Sequence, residues 1–503
     1  MHLIKYVYII LCFALLFCTI AACQNLHSPA KIEEYENSPN KIAFVGANVV
    51  NPGVSAAFSN TTILVEQGNI IKLQPSSNPI PNGYKVFNLK GKWVIPGLID
   101  GHIHLAQSGG AFTRPDTIDA TKLIPYQQDQ QWLLDNTANI LKRYLQLGIT
   151  TVFDLGGPSE YLKHYRQVSS SGVFPNIFAA GTLLSPMTVP QLSINGNTFT
   201  QVNSTQSALE LVKKQLQYNT HIIKIVWSQE TGLSSEQLYD LYQPAIALAH
   251  QHNKVVAIHV EDLRNAKMAV KAGGNILVHG VITDPIDNEL ITLMKLHDVT
   301  YMPTLSAYSH YFDLFKGSLS FTDFEQAHAH KAIIDSFMQL TQNAAKTDQM
   351  FQLLLKYVPM VDMPAADIAK LTQREQSIIG QLRGMFSSRF EDIQKSNLKL
   401  AANSGLNIAF GTDAGNPGTL HAVSIFGEMA QWQNAGLSKQ HIITAMTYGN
   451  AKAFKLQDKL GSLLAGKQAD FIVLEHNPYK NLDSLKHPIM VVKRGAIIKP
   501  NAK

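Results

Sequence analysis

The chain has 503 residues, of which 45% are apolar and 16% are charged, and its formal net charge is +5. This composition excludes a disordered chain, and without a basic run or a basic patch interleaved with aromatics there is no case for a nucleic-acid partner. The three cysteines, Cys12, Cys18 and Cys23, all lie at the N-terminal end. The rest of the chain therefore has no thiol for a disulfide, a zinc ribbon or a cysteine nucleophile.

The first residues have the features of an export signal. A basic start at Lys5, an apolar run over 7–20 and small residues before Cys23 predict a signal peptide over 1–22. The sequence "IAAC" at its end resembles the bacterial lipobox, in which the signal is cut before the cysteine and that cysteine carries lipid. We therefore expect an exported bacterial lipoprotein in the periplasm or at the outer membrane, attached only through Cys23 and its polar tether over 23–40. An uncleaved membrane anchor is the alternative, for which the apolar run is short.

Short alternating apolar segments occupy both ends of the remaining chain. Residues 41–95 and 462–503 contain stretches such as "KIAFVGANVV" and "IMVVKRGAII", punctuated by Gly, Asn and Pro in the manner of antiparallel strands. Two distant strand-rich pieces on either side of a different centre predict one small composite β-sandwich formed by the N- and C-terminal segments.

The centre of the chain, residues 96–461, alternates short apolar runs with amphipathic helical stretches. One such stretch begins with Ser234 and Gln237 at the spacing of a helix capping box. Eight strand-helix repeats with buried strands predict an α/β fold of the (β/α)8 TIM-barrel class. The eight predicted strands are residues 97–104, 148–157, 176–184, 221–227, 254–260, 275–280, 299–305 and 407–414.

One gap between predicted strands is too long for a simple connection. Residues 306–405 carry mostly helical periodicity, which predicts a helical insertion after the seventh strand. In a barrel this loop lies over the active-site end, where a lid or substrate cover is plausible. Extra helices that pack on the outside are the alternative that the pattern leaves open.

Histidines stand at the ends of several predicted strands. His102 and His104 are two residues apart, so their side chains face the same way. Such a pair can grip one divalent metal ion, or it can be a satisfied structural pair. The later strands favour the metal, because His259, His279 and Asp413 each end a predicted strand of their own.

Lys224 stands in the middle of an apolar strand, "HIIKIVW". Burying an ammonium costs several kcal/mol unless the group is paired or neutral. One interpretation is pairing with an inward carboxylate. The other is that the desolvated neutral amine has added carbon dioxide to become a carbamate, an anionic group whose two oxygens can bridge two metals.

Taken together, these motifs resemble those of the amidohydrolase superfamily of metal-dependent hydrolases, in its imidazolonepropionase-like and Xaa-Pro dipeptidase-like branch. The resemblance covers nearly the whole mature chain. It rests on the order of the motifs "VIPGLIDGHIHL", "GITTVFDLGG", "IIKIV", "VVAIHV", "ILVHG", "GTDAG", "AMTYGNAKAF" and "LGSLLAGKQADFIVLEHNP".

A site for two divalent metal ions is implied by this resemblance. It assigns one metal to His102, His104 and Asp413 and the second to His259 and His279. The buried lysine, in its carboxylated form, would bridge the two ions. Because nitrogen and oxygen ligands dominate and no thiolate is available, zinc is the expected ion, with manganese, iron and cobalt as alternatives.

The implied activity is hydrolysis of a C–N amide bond by a metal-bridged hydroxide, with Asp413 as the proton shuttle. Expected substrates are small molecules: dipeptides such as Xaa-Pro, or N-acyl amino acids. A cyclic amide or lactone hydrolase is the alternative within enzymes. A non-catalytic lipoprotein that binds a ligand, or a structural metal site, is the alternative outside them. A homo-oligomer is left open.

Three further residues are substrate candidates: Tyr301 and Thr304, near the end of the seventh predicted strand, and His421, shortly after the last one.

The chain also departs from its relatives at two places. Residues 183–197, "LLSPMTVPQLSINGN", replace a loop that usually contains glycine and histidine, and Phe153 stands where an arginine is usual. Both departures fall where we expect substrate to be recognised.

Overall fold

In a computed structural model, residues 40–54, 57–228 and 232–500 are described. The predicted signal peptide, the lipid-bearing Cys23 and the tether up to residue 39 lie outside the described residues. Within those three ranges, no helix is long and apolar enough to cross a bilayer.

Seventeen strands are present in the described ranges. In chain order they are β1 Lys41–Val49, β2 Phe58–Glu66, β3 Asn69–Pro75, β4 Lys85–Asn88, β5 Trp93–Pro96, β6 Leu98–Ile103, β7 Ile149–Asp154, β8 Asn176–Ala179, β9 Leu183–Ser185, β10 Phe199–Gln201, β11 Ile222–Val226, β12 Val255–His259, β13 Ile276–Val278, β14 Thr300–Met302, β15 Phe471–Leu474, β16 Met490–Lys493 and β17 Ala496–Ile498.

The helices lie mainly between β6 and β15. They are α1 Tyr126–Gln146, α2 Tyr161–Ser170, α3 Thr205–Gln217, α4 Ser235–Gln251, α5 Leu263–Lys271, α6 Asn288–Leu296, α7 Leu305–Lys316, α8 Asp323–His328, α9 Lys331–Gln342, α10 Gln349–Tyr357, α11 Ala365–Ile368, α12 Gln373–Arg383, α13 Ser388–Asn403, α14 Ser424–Asn434, α15 Lys439–Thr444 and α16 Asn450–Ala453. The predicted capping box at the start of α4 is confirmed, because the Ser234 and Gln237 side chains each bond the other's backbone N–H.

The two ends of the chain share one eight-stranded sheet. Its order is β17-β16-β15-β5-β1-β2-β3, with β4 paired to β1. The seam is antiparallel pairing between β15 and β5, where Ile472 lies opposite Ile95. The Phe44 ring of β1 packs edge-on against the Phe471 ring of β15, with centroids 5.0 Å apart. Both predicted terminal segments thus build one sheet, whereas its closure into a two-layer sandwich and the predicted domain boundaries stay predictions.

Between these ends, all strand pairs are parallel. One sheet has the order β6-β7-β8, and the other has the order β10-β9-β11-β12-β13-β14. The backbone N–H of His221, just before β11, donates to Ala179 O at the end of β8 over 3.0 Å. The third predicted strand is split into β8 and β9, because Gly181 turns the chain with a φ of 75°.

The last predicted strand, residues 407–414, contacts both outer edges of these parallel sheets. It forms isolated parallel bridges from Ile408 to Tyr301 of β14 and from Ala414 to Ile103 of β6. Its ladder is irregular, since Asp413 adopts a φ of 61°. The segment therefore lies between β14 and β6 without being a regular strand.

The helices α7 to α13 fill the predicted insertion. Phe312 and Phe315 of α7 and Phe351 of α10 form one apolar cluster with Ala111 and Phe112 of the connection after β6. The insertion thus packs against the chain that leaves the carboxyl end of β6, the end at which the two histidines stand.

Candidate metal centre

His102 and His104 converge on Asp413. Their Nε2 atoms are 3.2 Å apart, and they lie 3.1 Å and 3.0 Å from the same Asp413 oxygen, Oδ1. His102 lies one residue before the end of β6 and Asp413 lies near the end of the irregular segment beside it, so parallel alignment brings their side chains to one end of the sheet.

The two later histidines lie beside this group. The His279 Nδ1 atom is 4.0 Å from the other Asp413 oxygen, and its ring centroid is 5.1 Å from that of His102. The His259 ring lies 4.5 Å from the His279 ring, centroid to centroid. The structure therefore brings all four predicted histidine ligands and the aspartate together.

Lys224 of β11 is buried next to this cluster. Its side chain is 1% exposed, and its Nζ atom has no hydrogen-bond partner among the described residues. Burial lowers the pKa of Lys224 to about 7, against the opposing effect of the Asp413 carboxylate. Pairing with an inward carboxylate at ion-pair distance, one of the two interpretations of the sequence, is not seen within the described ranges.

The charge states of the cluster suit metal ligands. Burial lowers the pKa of His102 and His279 well below that of a free imidazole, so both rings are neutral near pH 7. Burial works to raise the pKa of Asp413, but the neighbouring histidines, His102 first, hold it well below its usual value. Neutral imidazoles and an ionised carboxylate are the forms that bind divalent metals.

A cation fits the contact between His104 and Asp413. The His104 Nδ1 atom lies 2.8 Å from the Gly156 carbonyl oxygen, which can only accept, so Nδ1 carries the ring proton. The Nε2 atom of a neutral ring then points a lone pair at the Asp413 carboxylate. Two acceptors at 3.0 Å repel one another unless a proton or a metal ion lies between them.

Backbone geometry brings the two ligand-bearing segments unusually close. A Cβ on Gly411 would lie 2.6 Å from the His102 Cβ, so only glycine fits there. The buried Asp100 carboxylate accepts from the Thr412 hydroxyl over 2.7 Å and from the Thr412 backbone N–H over 3.1 Å. Asp413 and His279 have φ angles of 61° and 66°, a left-handed backbone that non-glycine residues adopt chiefly where the surroundings enforce it.

Comparison with known families identifies the family of this chain. The model of the Amidohydrolase family matches residues 93–498, a range that contains all six predicted ligands. The chain belongs to the amidohydrolase family. The resemblance drawn from the sequence motifs is thereby confirmed at the level of the family.

Two curated relatives match short segments of this amidohydrolase. It is 34% identical over 111 residues to a 5-methylthioadenosine/S-adenosylhomocysteine deaminase of Teredinibacter turnerae, which covers 19% of the chain and 25% of that relative. It is 28% identical over 115 residues to an imidazolonepropionase of Pseudoalteromonas atlantica, which covers 18% of the chain and 27% of that relative. The chain therefore matches only about a quarter of the length of each of these two relatives.

Solved structures share the fold of this amidohydrolase over most of their length. A putative prolidase from Bifidobacterium longum superimposes with a TM-score of 0.64 at 21% identity, covering 93% of this chain and 96% of the other. A Xaa-Pro dipeptidase with bound methionine superimposes with a TM-score of 0.65 at 20% identity, covering 91% and 100%.

The three predicted substrate residues occupy different positions in this amidohydrolase. The Thr304 hydroxyl lies 2.8 Å from His279 Nδ1, next to the cluster. Tyr301 is 1% exposed and packs in the apolar layer between strands and helices, where its hydroxyl accepts from the Val281 N–H. Both ring nitrogens of His421 bond protein groups, the Gln107 carbonyl and a tyrosine hydroxyl. Thr304 alone of the three has a contact with a predicted ligand, and a substrate role for any of them stays a prediction.

Two charged residues beside the cluster were not predicted. Glu261 follows His259 by two residues, and its Oε1 atom lies 3.3 Å from His259 Nε2. The same-face spacing "HVE" was the available signal. Phe153, at the position where the resemblance led us to expect an arginine, stacks on Phe454 with centroids 3.5 Å apart and belongs to an apolar cluster.

Arg114 is the second unpredicted charge. Its Nε and Nη2 atoms donate to the two oxygens of Asp116 over 2.8 Å and 2.6 Å, and its Nη1 donates to Asn416 over 2.9 Å. The Tyr311 hydroxyl of α7 donates to the same Asn416 oxygen over 3.1 Å. Asn416 follows Asp413 by three residues, so this guanidinium lies beside the metal-ligand segment. No sequence signal marked it, because its contact with Asn416 joins residues 302 positions apart in the chain.

Proposed function

We propose that this amidohydrolase is a binuclear metal-dependent hydrolase that cleaves a C–N amide bond. The observation that carries the proposal is the cluster of His102, His279 and Asp413, whose ligand atoms lie within 4.8 Å of one another, with the other two histidines and the unpaired buried lysine beside it. We further propose that the strands from β6 to β14 and residues 407–414 close into a (β/α)8 barrel. In such a barrel these side chains stand at the carboxyl ends of the strands, where barrel enzymes have their active sites.

Lys224 is proposed to be carboxylated. A neutral lysine amine adds carbon dioxide by forming one N–C bond and releasing one proton, which leaves an anionic carbamate. Burial that lowers the pKa of this amine to about 7 supplies the neutral form near physiological pH. The carbamate would give the unpaired Nζ position a negative charge that two cations can share.

In the proposed site, His102, His104 and Asp413 would hold one ion and His259 and His279 would hold the other, with carboxylated Lys224 as a ligand for both. Zinc suits this set of nitrogen and oxygen donors. Bound divalent ions would lower the pKa of a water and polarise the scissile carbonyl.

Asp413 is the residue that moves the proton. It is ionised, and its Oδ1 atom is buried without a hydrogen-bond donor among the described residues. A carboxylate in this state can accept a proton from the attacking water and deliver it to the departing nitrogen.

The proposed substrates are dipeptides such as Xaa-Pro, or N-acyl amino acids. Both carry a carboxylate close to the scissile amide. Arg114 supports this choice, because its bonds with Asp116 and Asn416 use three of its five N–H groups and fix its orientation. A substrate carboxylate could accept from the remaining two N–H groups of Arg114.

Export as a lipoprotein attached through Cys23 remains part of the proposal, for which the signal-like N-terminus is the support.

Metal analysis tests the proposal. We expect purified protein to hold about two metal ions per chain, and Lys224→Ala to lose most of them. The matched control is Lys254→Ala, which removes a half-buried lysine whose Nζ donates to the Thr220 carbonyl at the amino end of β11 and β12, opposite the metal-ligand end. An unchanged metal content in Lys224→Ala would exclude the bridging role. A hydrolysis screen of Xaa-Pro dipeptides, N-acyl amino acids and lactones then assigns the substrate class.

A further inference from the structure

The first turn of α7 is held in an unusual way. Thr304 occupies the N-cap position, but its side chain makes no capping hydrogen bond. Its hydroxyl instead lies 2.8 Å from Nδ1 of His279. An N-cap threonine ordinarily accepts from a first-turn N–H, so diverting this hydroxyl leaves those donors in need of another acceptor.

Glu428 of α14 supplies that acceptor. Its side chain is fully buried, at 0% exposure. One oxygen accepts from the Leu305 N–H over 2.9 Å, and the other accepts from the Ser306 N–H over 2.7 Å. The Ser306 hydroxyl and the Trp432 indole N–H add bonds of 2.6 Å and 2.7 Å. The positive end of the helix dipole favours the ionised form of this carboxyl group, whose pKa burial raises to about 7.

His279 needs support of this kind. It follows the last residue of β13, so regular strand pairing does not fix it, and its φ of 66° is a left-handed conformation. Its ring orientation therefore depends on side-chain contacts. When Thr304 accepts from Nδ1–H, the ring keeps its lone pair on Nε2, which is the form a metal ligand requires.

We propose that Glu428 is a positioning residue for His279. Its carboxylate fixes the start of α7, the start of α7 fixes Thr304, and the Thr304 hydroxyl fixes the orientation of the His279 ring. The insertion then contributes to the metal site through its first turn, whatever its other helices cover. This inference rests on the metal-binding part of the proposed function.

Metal affinity, measured by competition with a chelator, tests the inference without an activity assay. Glu428→Gln keeps the shape of the side chain but replaces one carboxylate oxygen, which accepts hydrogen bonds, with an NH2 group. That NH2 group would face the donors that now bond the carboxylate. We expect it to weaken binding of the His279 metal by about tenfold or more, as loss of a residue that orients a ligand does. The visible spectrum of the cobalt-loaded protein should shift as well, because it reports the ligand geometry.

Thr304 variants test the second link. Thr304→Val removes the hydroxyl at constant shape and should weaken metal binding about as much as Glu428→Gln does. Thr304→Ser keeps the hydroxyl and should restore the affinity to near the wild-type value. In the double variant the two losses should not multiply, because both act through one contact with His279.

Glu325→Gln is the matched control. Glu325 is also buried, at 6% exposure, and it caps α8 of the same insertion through Thr322. This variant should lower thermal stability and leave metal affinity unchanged. If Glu428→Gln fails to fold, Ser306→Ala removes one of the four bonds to Glu428 and should weaken metal binding by about threefold.

Two results would overturn the inference, and they are distinguishable. If the wild-type protein binds metal but Glu428→Gln, or Ser306→Ala in its place, loses no affinity beyond the Glu325 control, Glu428 has only a structural role. If the wild-type protein binds no metal, the proposed function itself fails, and this inference fails with it.

Discussion

Two buried lysines stand within strands of this amidohydrolase, and their surroundings differ. Lys493 of β16 is 3% exposed, and its Nζ lies 2.6 Å from the carboxylate of Asp470. Lys224 of β11 is 1% exposed and has no hydrogen-bond partner among the described residues. The terminal sheet thus neutralises its buried lysine with a carboxylate.

These different surroundings separate a lysine that supports the terminal sheet, Lys493, from one that is available for a reaction, Lys224. Burial lowers the pKa of both lysines, but the Asp470 carboxylate stabilises the ammonium of Lys493. The ammonium form of a lysine cannot add carbon dioxide, because it has no lone pair on its nitrogen. An unpaired lysine whose pKa falls to about 7 is available as an amine, and it lies where four histidines and an aspartate converge.

The largest effect is expected from Lys224→Ala. Loss of the bridging anion should remove most bound metal and lower kcat/KM by at least about a thousandfold, which corresponds to about 4 kcal/mol of transition-state stabilisation. Metal content and hydrolysis are the measurements. Retention of more than a tenth of the wild-type activity would contradict the role given to this lysine.

Lys493→Met should have the opposite profile. It leaves the Asp470 charge buried without its partner, which should lower the free energy of unfolding by about 3–5 kcal/mol. Urea denaturation measures this loss, and metal content per folded chain should stay unchanged. Adding Asp470→Asn should recover part of the stability, because the uncompensated charge is removed. Loss of bound metal from folded Lys493→Met would contradict the purely structural role given to Lys493.

Arg114 is a third cation that combines features of both. It is paired with a carboxylate, as Lys493 is, and it lies near the metal ligands, as Lys224 does. Replacing it with glutamine should raise KM for substrates with a free carboxylate by about ten- to a hundredfold, since a bond between charged groups contributes about 1.5–3 kcal/mol. The same substrates with an amidated carboxyl group are the control, and they should show no such change. Equal losses for both substrate sets would assign Arg114 to holding the Asp413 segment.

Formation of the carbamate on Lys224 should depend on pH. With a pKa of about 7, Lys224 is mostly protonated at pH 6 and mostly neutral at pH 8. Only the neutral amine adds carbon dioxide, so metal-free protein supplied with the same concentration of dissolved carbon dioxide should regain metal binding about tenfold faster at pH 8 than at pH 6. Stopped-flow metal uptake measures this ratio, and a flat profile between these pH values would argue against the neutral amine.

The metal ligands could be predicted from the sequence because each one is a local feature. His102, His259 and His279 each stand at the end of an apolar strand, and parallel alignment brings such ends together. Lys224 was conspicuous because its charge interrupts an apolar run. The signal in all these cases lies within a few residues of the side chain itself.

The contacts around the ligands could not be predicted in this way. Glu428 reaches the first turn of α7 from 122 residues away along the chain, and Arg114 reaches Asn416 across 302 residues. No local pattern specifies such pairs. The breaks in regular strands have the same origin, because the close approach of Gly411 to His102 depends on packing between segments at opposite ends of the central region.

Carbon-13 NMR of protein prepared with labelled bicarbonate detects a carbamate on Lys224 without any activity assay. We expect one carbamate signal in the wild-type protein with metal bound, present in Lys493→Met and absent in Lys224→Arg. A wild-type protein with two bound metals and no carbamate signal would contradict the bridging role of Lys224, because the unpaired lysine would then have no part in holding the metals.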